Sequence, residues 1–170
     1  MSTLHVENLK GLSSGGNANK IIVPSGQTLH ASGHVIQFKH FSGTSQTNVN
    51  SNGNYFTIHT DSTFSITPKF STSLIVIRHY AGGLVQNCAN AYLRVQRNGS
   101  TILENDRHGY QDLSSNWTPI NWSFQFVDTP NSTSALTYTI QIRKDSGYIR
   151  ANDYSGNANT YVVTLEEIAG

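Results

Sequence analysis

The chain contains few charged residues. Asp, Glu, Lys and Arg make up 12% of its 170 residues, about half of the roughly 25% found in typical globular domains. The formal net charge is +1 and the isoelectric point is near 7.9. A nucleic-acid-binding protein would present a basic patch or stripe, so the composition argues against nucleic acid as a partner. Helices draw heavily on Glu, Lys and Arg, and their scarcity disfavours a helical fold.

Three other features are missing from the sequence. Cys88 is the only cysteine, so no disulfide can form within the chain, and stability must come from packing or oligomerisation. No stretch approaches the ~20 apolar residues of a membrane span, and we expect no membrane insertion. Residues 1–20 lack the apolar core of a signal peptide. Virion proteins combine these absences because they are made in the host cytosol and reach the exterior only on the particle.

Small polar residues take the place of the charged ones. Ser, Thr, Asn and Gly together supply 68 of the 170 residues. Ser, Thr and Asn compete with helical hydrogen bonds and favour turns, while Thr also favours strands. Hydrophobic residues still make up 36% of the chain, which is enough for a packed core and is not a disordered composition. This combination predicts an all-β protein with an uncharged polar surface, as on an extracellular or virion protein.

Short alternating or apolar segments follow one another from residue 34 onward, separated by turn-forming residues. No segment shows a capped helical period, and this spacing predicts an all-β, jelly-roll-like antiparallel β-sandwich. Asn98-Gly99 is typical of a type I′ hairpin turn, and residues 42–54 are predicted to form a polar loop. The predicted strands are His34–Phe41, Tyr55–Ile58, Thr63–Ile66, Leu74–Tyr80, Ala91–Gln96, Thr101–Glu104, Trp122–Val127, Leu136–Arg143 and Thr160–Ile168.

The sequence divides into residues 1–33, an N-terminal arm or attachment stem, and residues 34–170, the sandwich. The arm contains two short apolar segments, Leu4–Leu9 and Ile21–Val23, which we predict to be short strands. Pro24-Ser25-Gly26 breaks the second one. Segments this short bury little surface alone, so we expect the arm to pack against identical copies or against a neighbouring protein.

Motifs for catalysis or metal binding fit the predicted fold poorly. Gly11–Gly15 matches the G-x-S-x-G nucleophile elbow, but no helix follows it, as that motif requires. His30 and His34 have the spacing of helical metal ligands, yet they precede a strand and no Glu or Cys completes the set. In a threefold assembly His34 or His40 could converge on the axis. We therefore predict no enzyme activity, no cofactor and no metal site.

Two stretches combine aromatic rings with polar side chains outside the predicted strands. Flat rings cover the C–H face of a sugar, and neighbouring Asn, Asp and Arg groups satisfy its hydroxyls. The same residue types are enriched at subunit interfaces, and packing over the ends of a sandwich uses them too, so the residues alone leave these alternatives open. The candidate ligand-binding residues are Tyr110, Trp117, Tyr148, Arg150, Asp153 and Tyr154.

Several strings of the sequence resemble a family of marine bacteriophage tail-fibre-like virion proteins, of the kind found in cyanophages and pelagiphages. The resemblance covers most of the chain, but none of the strings is catalytic. This sequence departs from the family in its short length and in lacking a long repetitive shaft. The similar strings are Met1–Leu9, Ile66–Ser73, Ala91–Gly99, Asp128–Pro130 and Thr164–Gly170.

The resemblance implies a homotrimeric tail fibre or other appendage on the exterior of a phage particle, with a jelly-roll-like distal domain. It also implies contact with other virion proteins through the N-terminal arm and attachment to a host receptor, which we expect to be a surface glycan. It carries over no ligand residues. A capsid-surface decoration or cement protein and a non-viral carbohydrate-binding module are the alternatives.

Overall fold

The computed structural model describes residues 13–16, 20, 22–109, 115–154 and 157–170. The chain divides into two units, residues 1–31 and residues 32–170. In the first unit, the predicted break after Val23 is confirmed as a turn: the Gln27 amide donates to the Pro24 carbonyl at 3.0 Å, and Gly26 has φ +83°. The strand expected at residues 21–23 is wrong for Ile22 and Val23, which form no strand and have exposed side chains. The strand expected at residues 4–9 lies outside the described residues.

The second unit is all-β, and its strands pair antiparallel throughout the residues that the structure describes. The strands are β1 Val35–Gly43, β2 Thr47–Val49, β3 Phe56–Thr57, β4 Phe64–Ile66, β5 Leu74–Tyr80, β6 Gly82–Gln86, β7 Ala91–Arg97, β8 Ser100–Gly109, β9 Thr118–Asn121, β10 Phe124–Asp128, β11 Leu136–Lys144, β12 Tyr148–Ala151, β13 Asp153–Tyr154, β14 Asn157–Ala158 and β15 Tyr161–Ile168.

The strand order is that of a jelly roll. The first sheet has the order β1-β15-β5-β10, and the second has the order β3-β11-β7-β8, with β4 also paired to β11. If β3 and β4 are taken as one interrupted strand, the chain crosses between the sheets as in two interlocked Greek keys. The predicted all-β, jelly-roll-like sandwich is therefore confirmed.

The core lies between these two sheets. Alternation along each strand sends every second side chain inward. Ile75 and Ile77 of β5 and Leu165 of β15 are fully buried on the first sheet, and Leu93 and Ile140 are fully buried on the second. On β11 the burial alternates strictly from Leu136 to Lys144. The apolar strings seen in the sequence thus become the two inner faces of the sandwich.

The predicted hairpin turn between β7 and β8 is confirmed. Asn98 and Gly99 both have positive φ, +49° and +82°, as a type I′ turn requires. Arg97 and Ser100 form the last pair of the ladder. The Asn98 side-chain oxygen also accepts a hydrogen bond from the Thr137 amide at 2.8 Å, which ties the turn to the beginning of β11.

A third sheet extends one long ribbon of the sandwich. Its order is β2-β12-β6-β9. Strands β5 and β10 pair up to His79 and Phe124, and β6 and β9 resume at Gly82 and Asn121 with no change of register. The bend between them is held by the Trp122 amide, which donates to the Ala81 carbonyl at 2.8 Å. The ribbon therefore belongs to the first sheet at one end and to the third sheet at the other.

Gly83 allows the third sheet to lie close to the bend. A Cβ at this position would lie 2.5 Å from the Arg150 carbonyl oxygen and 2.7 Å from the Trp122 indole nitrogen. Trp122 is itself fully buried. Only glycine fits between the backbone of β12 and this ring, so a side chain at residue 83 would push β6 away from β12.

Two buried histidines lie in the core beneath the first sheet. His59 Nε2 and His79 Nε2 are 2.7 Å apart, and His79 Nδ1 lies 2.9 Å from the Trp122 carbonyl oxygen. Because a carbonyl only accepts, His79 Nδ1 donates, and its Nε2 accepts from His59. His59 also stacks on the Tyr161 ring at 3.7 Å between centroids. Burial lowers the pKa of His59 to about 3, and the neighbouring His79 ring acts in the same direction.

Buried carboxylates join separate parts of the sandwich. Asp128 of β10 accepts hydrogen bonds from Arg97 at 2.7 and 2.9 Å and from the Tyr138 hydroxyl at 2.7 Å, which links the first sheet to the second. Glu167 of β15 is fully buried. It accepts hydrogen bonds from the Gln37 amide group, from the backbone amides of Lys69 and Phe70, and from the Ser73 hydroxyl. Both acids are thus satisfied by several donors, as buried charges must be.

Candidate functional site

Three of the residues singled out in the sequence meet on one face of the third sheet. Tyr148 and Arg150 lie two residues apart on β12, opposite Gln86 and Leu84 of β6. Trp117 directly precedes Thr118, which pairs with Val85, so the unbroken register places Trp117 beside Gln86. Since alternate residues share a face, Trp117, Tyr148 and Arg150 lie on the same side of the sheet.

Their side chains form one stack. The Arg150 guanidinium carbon lies 4.4 Å from the centroid of the Trp117 ring, which is a cation–π distance. The Trp117 and Tyr148 rings are 6.3 Å apart and inclined at 53°. Tyr148 is 60% exposed. The stack therefore presents an aromatic surface and a guanidinium to the outside.

A cavity of about 250 Å³ opens beside this stack. Asn48, Asn50 and Gln86 line it together with Trp117, Tyr148 and Arg150. Asn48 faces Arg150 across the β2–β12 pair. Primary amides both donate and accept hydrogen bonds, so they match the hydroxyls of a sugar, whose C–H face would lie on an aromatic ring. We refer to these six residues as the aromatic site.

The other predicted site residues have different positions. Asp153 of β13 has a side chain that is 7% exposed, and its carboxylate lies 3.8 Å from the Arg150 guanidinium. It therefore lies beside Arg150 and does not line the cavity. Tyr154 is the other residue of β13, and Tyr110 lies outside the described residues. The ligand-binding role of the six residues that the sequence singled out stays a prediction.

The expectation that these residues lie outside strands is wrong for Tyr148, Arg150, Asp153 and Tyr154, and it is confirmed for Trp117. Tyr148 and Arg150 belong to β12, and Trp117 is adjacent to β9. These strands are short and rich in polar residues, so their sequences show no clear alternation. They form because β6, with Gly82 and Gly83, offers both of its edges for pairing. Residues 47–49, placed in a polar loop by the sequence, form β2 for the same reason, since β2 pairs with β12.

Asn48, Asn50 and Gln86 cannot be recognised as site residues from the sequence. The chain contains many Asn residues, and nothing local distinguishes those that line a cavity from those in a turn. Gln86 holds one wall of the site, because its amide group donates to the Ser115 carbonyl just before Trp117. Only the pairing of β2, β12 and β6 reveals that these amides are neighbours.

A second group of Tyr and Arg residues lies on the outer face of the second sheet. The Arg94 guanidinium carbon lies 3.9 Å from the Tyr55 ring centroid, and that of Arg143 lies 3.9 Å from the Tyr92 centroid. We call these four residues the face cluster. The face cluster is not evident from the sequence, because Tyr92, Arg94 and Arg143 alternate with core residues along β7 and β11, a pattern typical of the solvent side of a sheet.

Acidic and amide groups complete the face cluster. The Tyr55 hydroxyl donates to Glu104 at 2.7 Å, the Tyr92 hydroxyl donates to Asp145 at 2.6 Å, and Arg94 Nε donates to Gln141 at 2.6 Å. Burial and the bond to Glu104 raise the pKa of Tyr55 to about 12. Both hydroxyls and one guanidinium are thus satisfied within the cluster.

The structure contains neither a metal cluster nor a membrane-spanning helix in its described part. Among the described residues, no three His, Cys, Asp or Glu side chains are grouped so that they could hold a metal ion. In the same residues, no helix has the length and apolar character needed to cross a bilayer. His40 lies exposed on β1, and His34 directly precedes that strand.

Comparison with known proteins finds only distant structural likeness. No protein-family model matches the chain, and no curated protein sequence matches it significantly. A structure of T=1 particles derived from infectious bursal virus is 14% identical over 88% of this chain and 41% of that one, with a TM-score of 0.40. A T13 particle of the same virus, IBDV, is 13% identical over 94% and 40%, with a TM-score of 0.34.

A bacterial protein gives a similar value. Latent PorU from Porphyromonas gingivalis is 10% identical over 89% of this chain and 15% of that one, with a TM-score of 0.37. The chain spans less than half the length of each of these three proteins. Matches this weak show no shared function, and the jelly-roll assignment rests on the strand order itself.

Proposed function

We propose that this chain is a structural protein of a bacteriophage particle, a homotrimeric tail fibre or appendage that attaches to a glycan on the host surface. The observation that carries the attachment role is the aromatic site, where Trp117, Tyr148 and Arg150 adjoin amide groups around a 250 Å³ cavity. Such a combination of rings and hydrogen-bonding groups suits a pyranose ring. The uncharged polar composition, the jelly-roll fold and the resemblance to tail-fibre-like proteins support a place on the outside of a virion.

Self-association is supported by the outer face of the first sheet. Phe38 of β1 is 55% exposed and Val127 of β10 is 46% exposed. The register sets both in one row across the sheet, with Glu166 and Val76 between them. Apolar groups left on a sheet surface are stabilised when a second surface covers them, and closed cyclic symmetry supplies identical copies for this purpose.

The attachment role is tested by removing the Trp117 ring. Trp117→Ala should weaken glycan binding by a factor of about 30 or more, which corresponds to the ~2 kcal/mol of a binding hot spot. Binding would be screened on arrays of bacterial surface glycans and quantified by calorimetry, with melting temperature as the control for folding. Trp117→Phe, which keeps a ring, should retain most of the affinity. Equal binding by wild type and Trp117→Ala would contradict the proposal.

The oligomeric state is tested by light scattering. Wild type should have the mass of three chains, and Phe38→Glu should shift the mass towards one chain without lowering glycan affinity per chain. A wild-type monomer that binds glycan would instead favour the non-viral carbohydrate-binding module. Antibody labelling of particles then separates tail from capsid, since label on the capsid surface would favour a decoration protein.

A further inference from the structure

A second cavity lies on the same face of the same ribbon as the aromatic site. It has a volume of about 320 Å³. Tyr80, Asn121 and Asn159 contribute its largest polar and aromatic side chains, and Gly82 and Pro119 form part of its floor. Tyr80 is 62% exposed. An exposed ring beside two primary amides repeats, with fewer side chains, the chemistry of the aromatic site.

The unbroken register determines how the two cavities are related. On β6, Gly82 pairs with Asn121, while Val85 pairs with Thr118, the residue after Trp117. Tyr80, Gly82, Leu84 and Gln86 alternate onto one face of the ribbon, and Asn121, Pro119 and Trp117 occupy that face on the opposite strand. Asn121 and Trp117 are four residues apart, which is about 13 Å along a strand. The two cavities are therefore neighbours on one face, separated by a distance of a few sugar rings.

On β6, no exposed bulky side chain separates the two cavities. Gly82 has no side chain, and a Cβ there would meet no atom closer than 3.7 Å. Leu84 is 4% exposed and lies opposite Pro119, with Arg150 on its other side. On β6 the two positions between the Tyr80 ring and the Trp117 ring are thus a glycine and a buried leucine, so a bound chain could pass along this strand from one ring to the other.

The charge of this surface favours an uncharged ligand. Among the described residues that line either cavity, Arg150 is the only charged one. Its guanidinium already lies over Trp117 and within 3.8 Å of the Asp153 carboxylate. The remaining polar side chains are chiefly amides, which pair with hydroxyls. A polyanion would need several cationic groups, whereas a chain of neutral hexoses needs rings and amides.

We infer that the two cavities are subsites of one groove that binds a linear, neutral oligosaccharide, with one sugar on Trp117 and a later sugar on Tyr80. This inference rests on the proposed glycan attachment and extends it to the length and charge of the ligand. The Tyr80 subsite adds affinity only for chains long enough to reach it.

The experiment measures affinity against chain length. The probes are linear gluco-, galacto- and manno-oligosaccharides, each from disaccharide to hexasaccharide, with oligogalacturonates as the anionic series. They are titrated by calorimetry, which reports affinity per chain and is independent of avidity. Wild type should bind the hexasaccharide of at least one neutral series at least tenfold more tightly than the disaccharide. Tyr80→Ala should abolish this gain and leave disaccharide affinity unchanged, whereas Trp117→Ala should lose both.

Matched variants separate the subsite from general effects. Asn159→Ala should reduce the gain with length, and Tyr80→Phe should preserve most of it because the ring remains. Ser65→Ala, at an exposed position on β4 of the second sheet, should leave both the short-chain affinity and the gain with length unchanged. Three results would overturn the inference of a second subsite while leaving the attachment role intact. They are equal affinity of wild type for short and long chains, a gain with length that survives Tyr80→Ala, and a preference for the anionic series. Failure of wild type to bind any oligosaccharide would overturn the proposed attachment role as well.

Discussion

The aromatic site and the face cluster are built from the same residue types, yet they differ in what remains available for a ligand. In the face cluster, Arg94 and Arg143 lie on the Tyr55 and Tyr92 rings, and both hydroxyls donate to carboxylates. In the aromatic site, one guanidinium lies on one ring and a cavity remains beside it. The presence of Tyr, Trp and Arg therefore indicates a ligand site only where their surfaces are not consumed by each other.

The largest expected effect is a loss of stability at acidic pH. It sets the pH range in which the aromatic site and the face cluster can be compared. The pKa of His59 is about 3 in the folded chain, and it should return to about 6.5 on unfolding. Between these values the unfolded chain binds a proton that the folded chain does not, so stability should fall as the pH drops below about 6.5, by at most ~1.4 kcal/mol per pH unit.

Asp61, the carboxylate near His59, affects stability only at lower pH. His79 and Tyr161 contact the His59 ring. The Tyr161 hydroxyl donates a hydrogen bond to Asp61, and the Ser62 hydroxyl donates one to the Tyr161 oxygen. Although burial raises the pKa of Asp61, hydrogen bonds from Tyr161 and Ser45 lower it to about 2. The stability that Asp61 adds is therefore lost only below about pH 4. Urea unfolding at a series of pH values from 7.5 to 4 measures the slope of the free energy of unfolding against pH. His59→Gln should reduce this slope, whereas His40→Gln, at an exposed position, should leave it unchanged. An unchanged slope in His59→Gln would contradict this account.

The second prediction pairs the two stacked arginines. Arg143→Ala should lower the free energy of unfolding by about 1–2 kcal/mol, because it removes a partly buried stem and its contacts with two rings. Glycan affinity should not change. Arg150→Ala should change stability by less than about 1 kcal/mol, because the Arg150 side chain is 40% exposed and its guanidinium lies 3.8 Å from the Asp153 carboxylate. It should weaken glycan binding roughly tenfold. Chemical unfolding gives the free energy of unfolding of each variant, and calorimetry gives its glycan affinity. If Arg150→Ala is the more destabilising variant, the aromatic site is a packing feature.

The smallest expected effects come from single hydroxyl groups. Tyr92→Phe removes the hydrogen bond to Asp145 and should lower stability by about 1 kcal/mol. Tyr148→Phe, at a side chain that is 60% exposed, should leave stability within ~0.5 kcal/mol of wild type. Melting temperatures measured side by side are sufficient for this comparison. Equal losses in the two variants would show that the hydroxyl of Tyr148 is also held by the fold.

The sandwich was predictable because its strands carry their own signal. β5 has the predicted bounds, and β1, β7, β11 and β15 differ from prediction by one or two residues at an end. On β7, β11 and β15 the buried residues alternate with more exposed ones, and β5 is a nearly continuous apolar run. In contrast, β6, β9 and β12 contain Gly82-Gly83, Pro119 and an exposed Tyr148, and each becomes a strand through its neighbours. Tertiary pairing, which a local pattern does not contain, decides these segments.

The candidate site was predictable only in part for the same reason. Trp117, Tyr148 and Arg150 stand out by residue type, and the third sheet brings them together. The amides of Asn48 and Gln86 belong to the site through strand pairing alone. The face cluster shows the reverse case, since Tyr55 and Tyr92 are aromatic residues whose partners lie up to about fifty positions away in the sequence.

The position of β15 has a consequence for how the protein is made. β15 lies between β1 and β5 in the first sheet, and Val35 pairs with Ile168 at the far end of the domain. Neither β1 nor β5 has this neighbour until β15 has left the ribosome, so the first sheet closes only after synthesis of the whole domain. Contacts this distant in sequence make folding slow. Until then the edges of β1 and β5 are unpaired, and nascent chains on a crowded polysome are exposed to aggregation at these two edges.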